Sequence, residues 1–68
     1  MNRYHILVVT GAPYTRHKVE AHGIGWSDAG LYEFWRMDEN GRRYVVAYYP
    51  VNKTIIESIE YNIGKNNE

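Results

Sequence analysis

Sixty-eight residues allow one domain with a small core, because a chain this short buries only about 60% of the surface its unfolded form exposes. Eight basic and eight acidic residues cancel to a formal net charge of zero, which argues against electrostatically driven nucleic-acid binding and against an acidic nucleic-acid mimic. There is no cysteine, so neither a disulfide nor a thiolate is available, and no apolar run approaches the ~20 residues that span a bilayer.

The first segment, Tyr4 to Thr10 (YHILVVT), reads as a strand whose near-continuous apolar character suits burial on both faces. Its apolar run is shorter than the roughly 7–15 residues of a signal-peptide core, and Gly11-Ala12-Pro13 makes a poor cleavage site. A cytoplasmic protein is therefore expected. His5 reads as a partly exposed imidazole near the strand's start. Gly11-Ala12-Pro13-Tyr14 is a turn.

A second strand is expected over Thr15 to His22. Arg16, Lys18, Glu20 and His22 form its wet face, and Thr15, His17, Val19 and Ala21 its inward face, where His17 fits poorly. Gly23 to Gly30 (GIGWSDAG) reads as the main loop. Core capping by Ile24 and Trp26 is favoured over their presentation to a partner. Ser27-Asp28-Ala29-Gly30 has turn chemistry, with Gly30 supplying a positive φ.

Leu31 to Pro50 reads as a β-hairpin. Asn40-Gly41 suits a two-residue turn with positive φ at both positions. That register sets Glu39 against Arg42 and Asp38 against Arg43, opposite charges in both pairs. It also sets Trp35 against Val46, Phe34 against Ala47, and Tyr32 against Tyr49. A three-residue loop, Glu39-Asn40-Gly41, is the competing register. Alternation places Tyr32, Phe34, Val45, Ala47 and Tyr49 on one face. Leu31, Glu33, Trp35, Met37, Tyr44, Val46 and Tyr48 fall on the other. Both faces are apolar, as in a curled sheet or in a hairpin with one face kept for a partner. Pro50 cannot donate to a ladder, so the second strand ends or becomes an edge there.

Val51 to Ile63 is ambiguous. Thr54-Ile55-Ile56-Glu57 matches a capping box, whereas the density of isoleucine favours a strand sharing Ile55, Ile59, Tyr61 and Ile63 on one face. The strand is preferred. The polar tail from Lys65 reads as frayed, with 66–68 disordered. Together these elements predict a mainly β single domain. It would be a small antiparallel meander or SH3- or OB-like barrel of four to five strands, with a short C-terminal helix as the alternative.

No constellation carries chemistry. Ser27, Asp28 and His22 are explained by a turn, and so small a domain has little room for a preformed cleft of ~300 Å³. His17 and His22 are an odd number apart and point to opposite faces of a strand, so they cannot share a metal ion. No catalytic residue, metal or cofactor is expected. Arg16, Lys18, Arg36, Arg42 and Arg43 beside aromatic side chains leave a small single-stranded nucleic-acid-binding barrel as the runner-up.

Seven tyrosines and two tryptophans against three lysines match the residue preferences of protein interfaces. A small sheet cannot bury them all, so an exposed aromatic patch follows. The residues expected to bind a partner are Trp35, Tyr44, Tyr48, Tyr14, Trp26, Arg36 and Arg42. In general form, being tiny, cysteine-free, aromatic-rich and neutral, the chain resembles small phage or mobile-element proteins that bind and inhibit a host factor. The resemblance implies a non-enzymatic inhibitor or modulator acting on another protein. A homodimeric structural module is the remaining alternative.

Overall fold

Six strands account for most of residues 1–64, the part of the chain described by a computed structural model. They are β1 (Asn2–Val8), β2 (Thr15–Ala21), β3 (Gly23–Trp26), β4 (Leu31–Met37), β5 (Arg43–Pro50) and β6 (Thr54–Glu60). A single 3-10 turn, Val51–Lys53, joins β5 to β6. The tail expected to be frayed lies outside the described residues. The strands form two antiparallel three-stranded sheets, ordered β2-β1-β6 and β3-β4-β5. No ladder joins β5 to β6, so the sheets do not close into a barrel.

β2 and β3 are one run of chain interrupted by a bend at His22. The bend hands the chain from the first sheet to the second. The His22 backbone N–H donates to Trp35 O at 2.8 Å, and its side-chain Nδ1 accepts the Met37 N–H at 2.9 Å. The imidazole thus takes the place of a backbone acceptor where the strand breaks. Gly23–Trp26 was expected to be loop and is instead strand. Two glycines in a four-residue strand weaken the local signal, but pairing with β4 overrides it. The loop shrinks to Ser27–Gly30, closed by Gly30 N–H to Ser27 O and by Leu31 N–H to Ser27 Oγ, with Gly30 at φ 77°.

Side chains between the sheets form the core. Tyr4 and Ile6 from β1, Val19 and Ala21 from β2, and Phe34 from β4 are buried, flanked by Ile24, Tyr32, Ala47, Tyr49, Ile56 and Ile59. Phe34 meets the Tyr4 ring edge-on at 5.0 Å and the Tyr49 ring at 5.8 Å, the geometry that aromatic quadrupoles favour. The Cα atoms extend 41 × 28 × 12 Å. That thinness fits one layer of side chains between sheets packed ~10 Å apart, and both outer faces are left uncovered by the described residues.

The Leu31–Pro50 hairpin forms, with a different turn. Asp38 N–H donates to Arg42 O and Gly41 N–H to Asp38 O, and Gly41 sits at φ 81°. This is the three-residue loop Glu39-Asn40-Gly41. The Asp38 carboxylate also accepts from the Asn40 and Arg42 backbone N–H groups, which the two-residue turn would not permit. Trp35 consequently pairs with Val45 and Met37 with Arg43, and the expected Glu39–Arg42, Asp38–Arg43 and Trp35–Val46 pairs do not form. A bulge at Val46 then restores the expected Phe34–Ala47 and Tyr32–Tyr49 pairs. Val45 and Tyr44 therefore exchange faces relative to simple alternation.

Residues 54–60 are a strand pairing antiparallel with β1, and the helical alternative is realised only as the 3-10 turn before it. A bulge opposite His5/Ile6 adds one residue, so Ile56 and Ile59 face the core while Ile55 is exposed. The described residues hold six strands rather than four to five, because Gly23–Trp26 pairs with β4 instead of remaining loop.

Thr54 is buried, and its Oγ1 has no hydrogen-bond partner among the described residues. A buried hydroxyl without a partner costs about 1–3 kcal/mol of desolvation. Thr54→Val, which keeps the shape and removes the hydroxyl, is expected to stabilise the fold by about 1 kcal/mol and to raise the melting temperature by about 4–8 °C. A scanning calorimetry trace showing no rise would mean that the hydroxyl is satisfied by solvent.

Candidate functional site

The two outer faces differ in chemistry. On the β2-β1-β6 sheet most outward residues are charged and several are paired, with Leu7, Ile55 and Ser58 interspersed among them. Arg3 lies between Glu20 at 2.9 Å and Glu60 at 3.5 Å, His5 Nε2 also hydrogen-bonds Glu60, and Arg16 reaches Glu57 at 3.1 Å. The hydrogen bond that Arg3 donates to Glu20, with the charges of both carboxylates, raises the Arg3 pKa above its ordinary value. The hydrogen bond from His5, with the Arg3 charge, holds the Glu60 carboxyl below the usual carboxylate range. This face is a solvated ion-pair lattice.

A depressed carboxylate pKa contributes stability that is fully present above the unfolded value and is lost as pH falls through the folded value. Acidification below the ordinary Glu range is therefore expected to weaken the β1–β6 pairing. In a urea series run from neutral to acid pH, Glu60→Gln should show a shallower fall in midpoint than the parent, and added salt should narrow the difference. Parallel curves for the two proteins would refute the coupling.

The outer face of the β3-β4-β5 sheet is apolar. Leu31, Glu33, Trp35 and Met37 alternate along β4. Val45 lies across from Trp35, and Tyr48 across from Glu33. Tyr48 is 58% exposed and Met37 43%, while Val45 and the bulged Val46 are also exposed. Gly23 on β3 lies across from Trp35 and presents no side chain, and the indole covers it so closely that a Cβ there would sit 2.3 Å from the ring. The Arg43 guanidinium lies 4.1 Å from the Trp35 ring centroid, a cation–π contact. The Trp35 ring thus packs on Gly23 and beside the Arg43 guanidinium. The face carries two charged groups, Glu33 and Arg43, of opposite sign.

The residues expected to bind a partner divide over this geometry. Trp35 and Tyr48 share the apolar outer face. Tyr44 is exposed but points the other way, beside Arg36, because the three-residue turn shifts its parity. Arg36 is committed to structure: its Nε donates to Glu20 O at 2.8 Å and ties β4 to β2. Arg42 lies at the hairpin tip, its backbone N–H bound by Asp38. Tyr14 is exposed in the turn before β2. Trp26 is 71% exposed at the end of β3 and touches Tyr32 at 5.9 Å. Ile24 packs on the core as expected, whereas Trp26 does not cap it. Alternation sets Met37 and Val46 on the Trp35 face as well, although neither is among the residues expected to bind a partner. Val45 was missed because only the true turn and bulge reveal its side.

A smaller aromatic row crosses the inner side of the same sheet. Trp26, Tyr32 and Tyr49 are cross-strand neighbours, and Tyr49 continues to His17, with rings 5.6 Å apart and Tyr49 Oη 3.3 Å from His17 Nδ1. His17 is thus on the inward side of β2 yet exposed, as a rim residue.

Ser27 Oγ and His22 Nδ1 are both occupied by backbone N–H groups. Among the described residues no three His, Cys, Asp or Glu side chains converge to hold a metal ion, and no pocket opens at the surface. No helix is long and apolar enough to cross a membrane. Fold and surface together define a small antiparallel β-protein with one ion-paired face and one apolar face. No protein-family model matches the chain, and neither a curated protein nor a solved structure is found to be similar to it.

Proposed function

We propose that this chain is a non-catalytic module that binds another protein through the outer face of β4 and β5. The single observation that carries this reading is the contrast between the two outer faces. One carries mostly charged side chains tied into ion pairs, with Ile55 as its one large exposed apolar residue among the described residues, while the other exposes Met37, Val45, Val46 and Tyr48 around Trp35, which packs on Gly23 and beside Arg43. Aromatic residues, Met and Arg at the centre of a patch are the anchors of protein interfaces. In this role the chain acts by occupying a partner's surface, as a small cytoplasmic inhibitor or modulator of the phage type does. The nucleic-acid reading has weaker support, since the cation on this face, Arg43, is offset by Glu33 and is engaged with Trp35.

For the architecture, we infer an SH3-like rather than OB-like order. Its support is a strand bent at His22 into a three-strand meander, then one 3-10 turn, then a last strand returning to pair with β1.

The test is affinity capture from lysate of the native organism, in nuclease-treated and untreated halves, with paired variants. Tyr48→Ser and Met37→Glu should each weaken capture of the bound protein by about 10-fold or more without loss of fold. Lys18→Glu on the ion-paired face should not. Capture that depends on Lys18, or that disappears with nuclease, would overturn the assignment.

A further inference from the structure

We infer that the free edge of β5 pairs with β5 of a second copy, in one antiparallel register centred on the Val46–Ala47 peptide. This goes beyond the protein-binding reading and does not depend on it.

The first observation is a contrast among the sheet edges. An unpaired strand edge is a template for another strand, and proteins guard it with charge or cover it. β2 carries Arg16 and Lys18, and its Glu20 carbonyl is taken by Arg36. β6 carries Glu57 and Glu60. β3 is four residues long with two glycines. β5 runs from Tyr44 to Tyr49 without a charge, in residues of high β-propensity.

The second observation fixes the register. Backbone N–H groups of Ser27 and His22 donate to Leu31 O and Trp35 O, so odd-numbered residues of β4 turn their backbone groups toward β3 and even-numbered ones toward β5. The β5 partners of the even-numbered residues are Tyr44, Ala47 and Tyr49. Arg43, Val45, Tyr48 and Pro50 therefore aim their backbone groups at the free edge. The bulge at Val46 puts two residues between Val45 and Tyr48, which makes this set symmetric about the Val46–Ala47 peptide. A two-fold axis there sets Val45 against Tyr48 of the second copy and Arg43 against Pro50, matching all four positions at once. Any other register matches fewer. Because Pro50 has no N–H, the ladder would hold about six hydrogen bonds.

Charge favours the same arrangement. The two Arg43 side chains fall at opposite ends of the ladder, more than about 20 Å apart, beyond the screening length. Zero net charge removes long-range repulsion between copies. A core of five buried apolar side chains is small, and association is a common remedy for a small core. Pairing through one strand edge covers less than the ~800 Å² per partner of a standard interface, so the dimer should be weak and its population should depend on concentration. The axis is perpendicular to the sheet. The two apolar outer faces then lie on one side of a continuous six-stranded sheet and double the docking surface.

Sedimentation equilibrium over about 1–500 µM tests the association. The expected result is a mass rising from one chain toward two. Val45→Pro removes an edge-facing N–H without touching the β4 ladder, and Val46→Lys places like charges beside the axis. Each should leave a folded monomer across the range. The absence of native cysteine allows a register test: Val45→Cys mixed with Tyr48→Cys should cross-link under mild oxidation at least several-fold faster than either variant alone. One-chain mass at every concentration, or equal cross-linking of Val45→Cys with itself, would overturn the proposal.

Discussion

Phe34→Ala is expected to cost about 3–5 kcal/mol, the range for truncating a buried aromatic core residue. Phe34 is fully buried, and it is the side chain through which the second sheet reaches the first, touching Tyr4 on β1 and Tyr49 on β5. Truncation removes both edge-to-face contacts and leaves a cavity lined by Tyr4, Ile6 and Val19. A chain of this length has a total stability of about 3–10 kcal/mol, so the variant should populate unfolded chain at ordinary temperature. The measurement is urea unfolding followed by far-UV circular dichroism. Phe34→Leu serves as the control, and its cost should stay under about 1.5 kcal/mol because most of the volume is kept. A Phe34→Ala midpoint close to the parent's would mean that the sheets are joined elsewhere, with Arg36 bound to the Glu20 carbonyl as the first candidate.

How much of this was legible in the sequence depends on the range of the forces involved. Alternation and β-branched density located five of the six strands, because a pleated strand with one buried face needs that pattern. The strand expected within Val51–Ile63, against a capping-box signal, forms over Thr54–Glu60, where pairing with β1 decides, and stops short of Tyr61 and Ile63. Gly23–Trp26 was not legible. Glycine has low strand propensity, and what makes this segment a strand is its pairing with β4, where Gly23 lies across from Trp35, twelve positions along the chain. The hairpin turn was half legible. Asn40-Gly41 marks a turn in either register, and the choice rests on the Asp38 carboxylate capping two backbone N–H groups. The cross-strand charge pairs that favoured the other register lie at an exposed tip, where such pairs contribute about 0–1 kcal/mol.

The candidate surface was legible as composition and not as geometry. An excess of aromatic over lysine residues predicts a patch, and Trp35 and Tyr48 share one outer face of the sheet, as alternation predicts. Tyr44 and Val45 changed sides because a turn one residue longer reverses the parity of everything up to the bulge at Val46. Arg36 was expected at an interface. Its guanidinium instead satisfies a carbonyl on β2, a long-range contact that no local pattern announces.

Gly23→Ala is expected to have the second-largest effect, and it links the fold to the proposed docking face. The added Cβ would lie 2.3 Å and 2.6 Å from two atoms of the Trp35 indole, so the ring must move. Its freedom to do so is limited, since Arg43 sits 4.1 Å from the ring centroid. Overpacking of this kind costs about 1–3 kcal/mol, and losing the cation–π contact adds about 0.5–1 kcal/mol at an exposed site. The sum is about 1.5–4 kcal/mol at a position where Gly→Ala in an open strand would be neutral or mildly stabilising, which separates this mechanism from backbone propensity. The displaced indole should become more solvent-exposed. Tryptophan emission should shift to the red, and a Trp26→Phe background removes the other indole. Gly25→Ala is the control, because it lies on the same strand with nothing within 4 Å of its Cβ position. A stable Gly23→Ala protein with unchanged emission would show that Trp35 is not held in place. The outer face would then have no fixed aromatic centre around which Met37, Val45 and Tyr48 could act together.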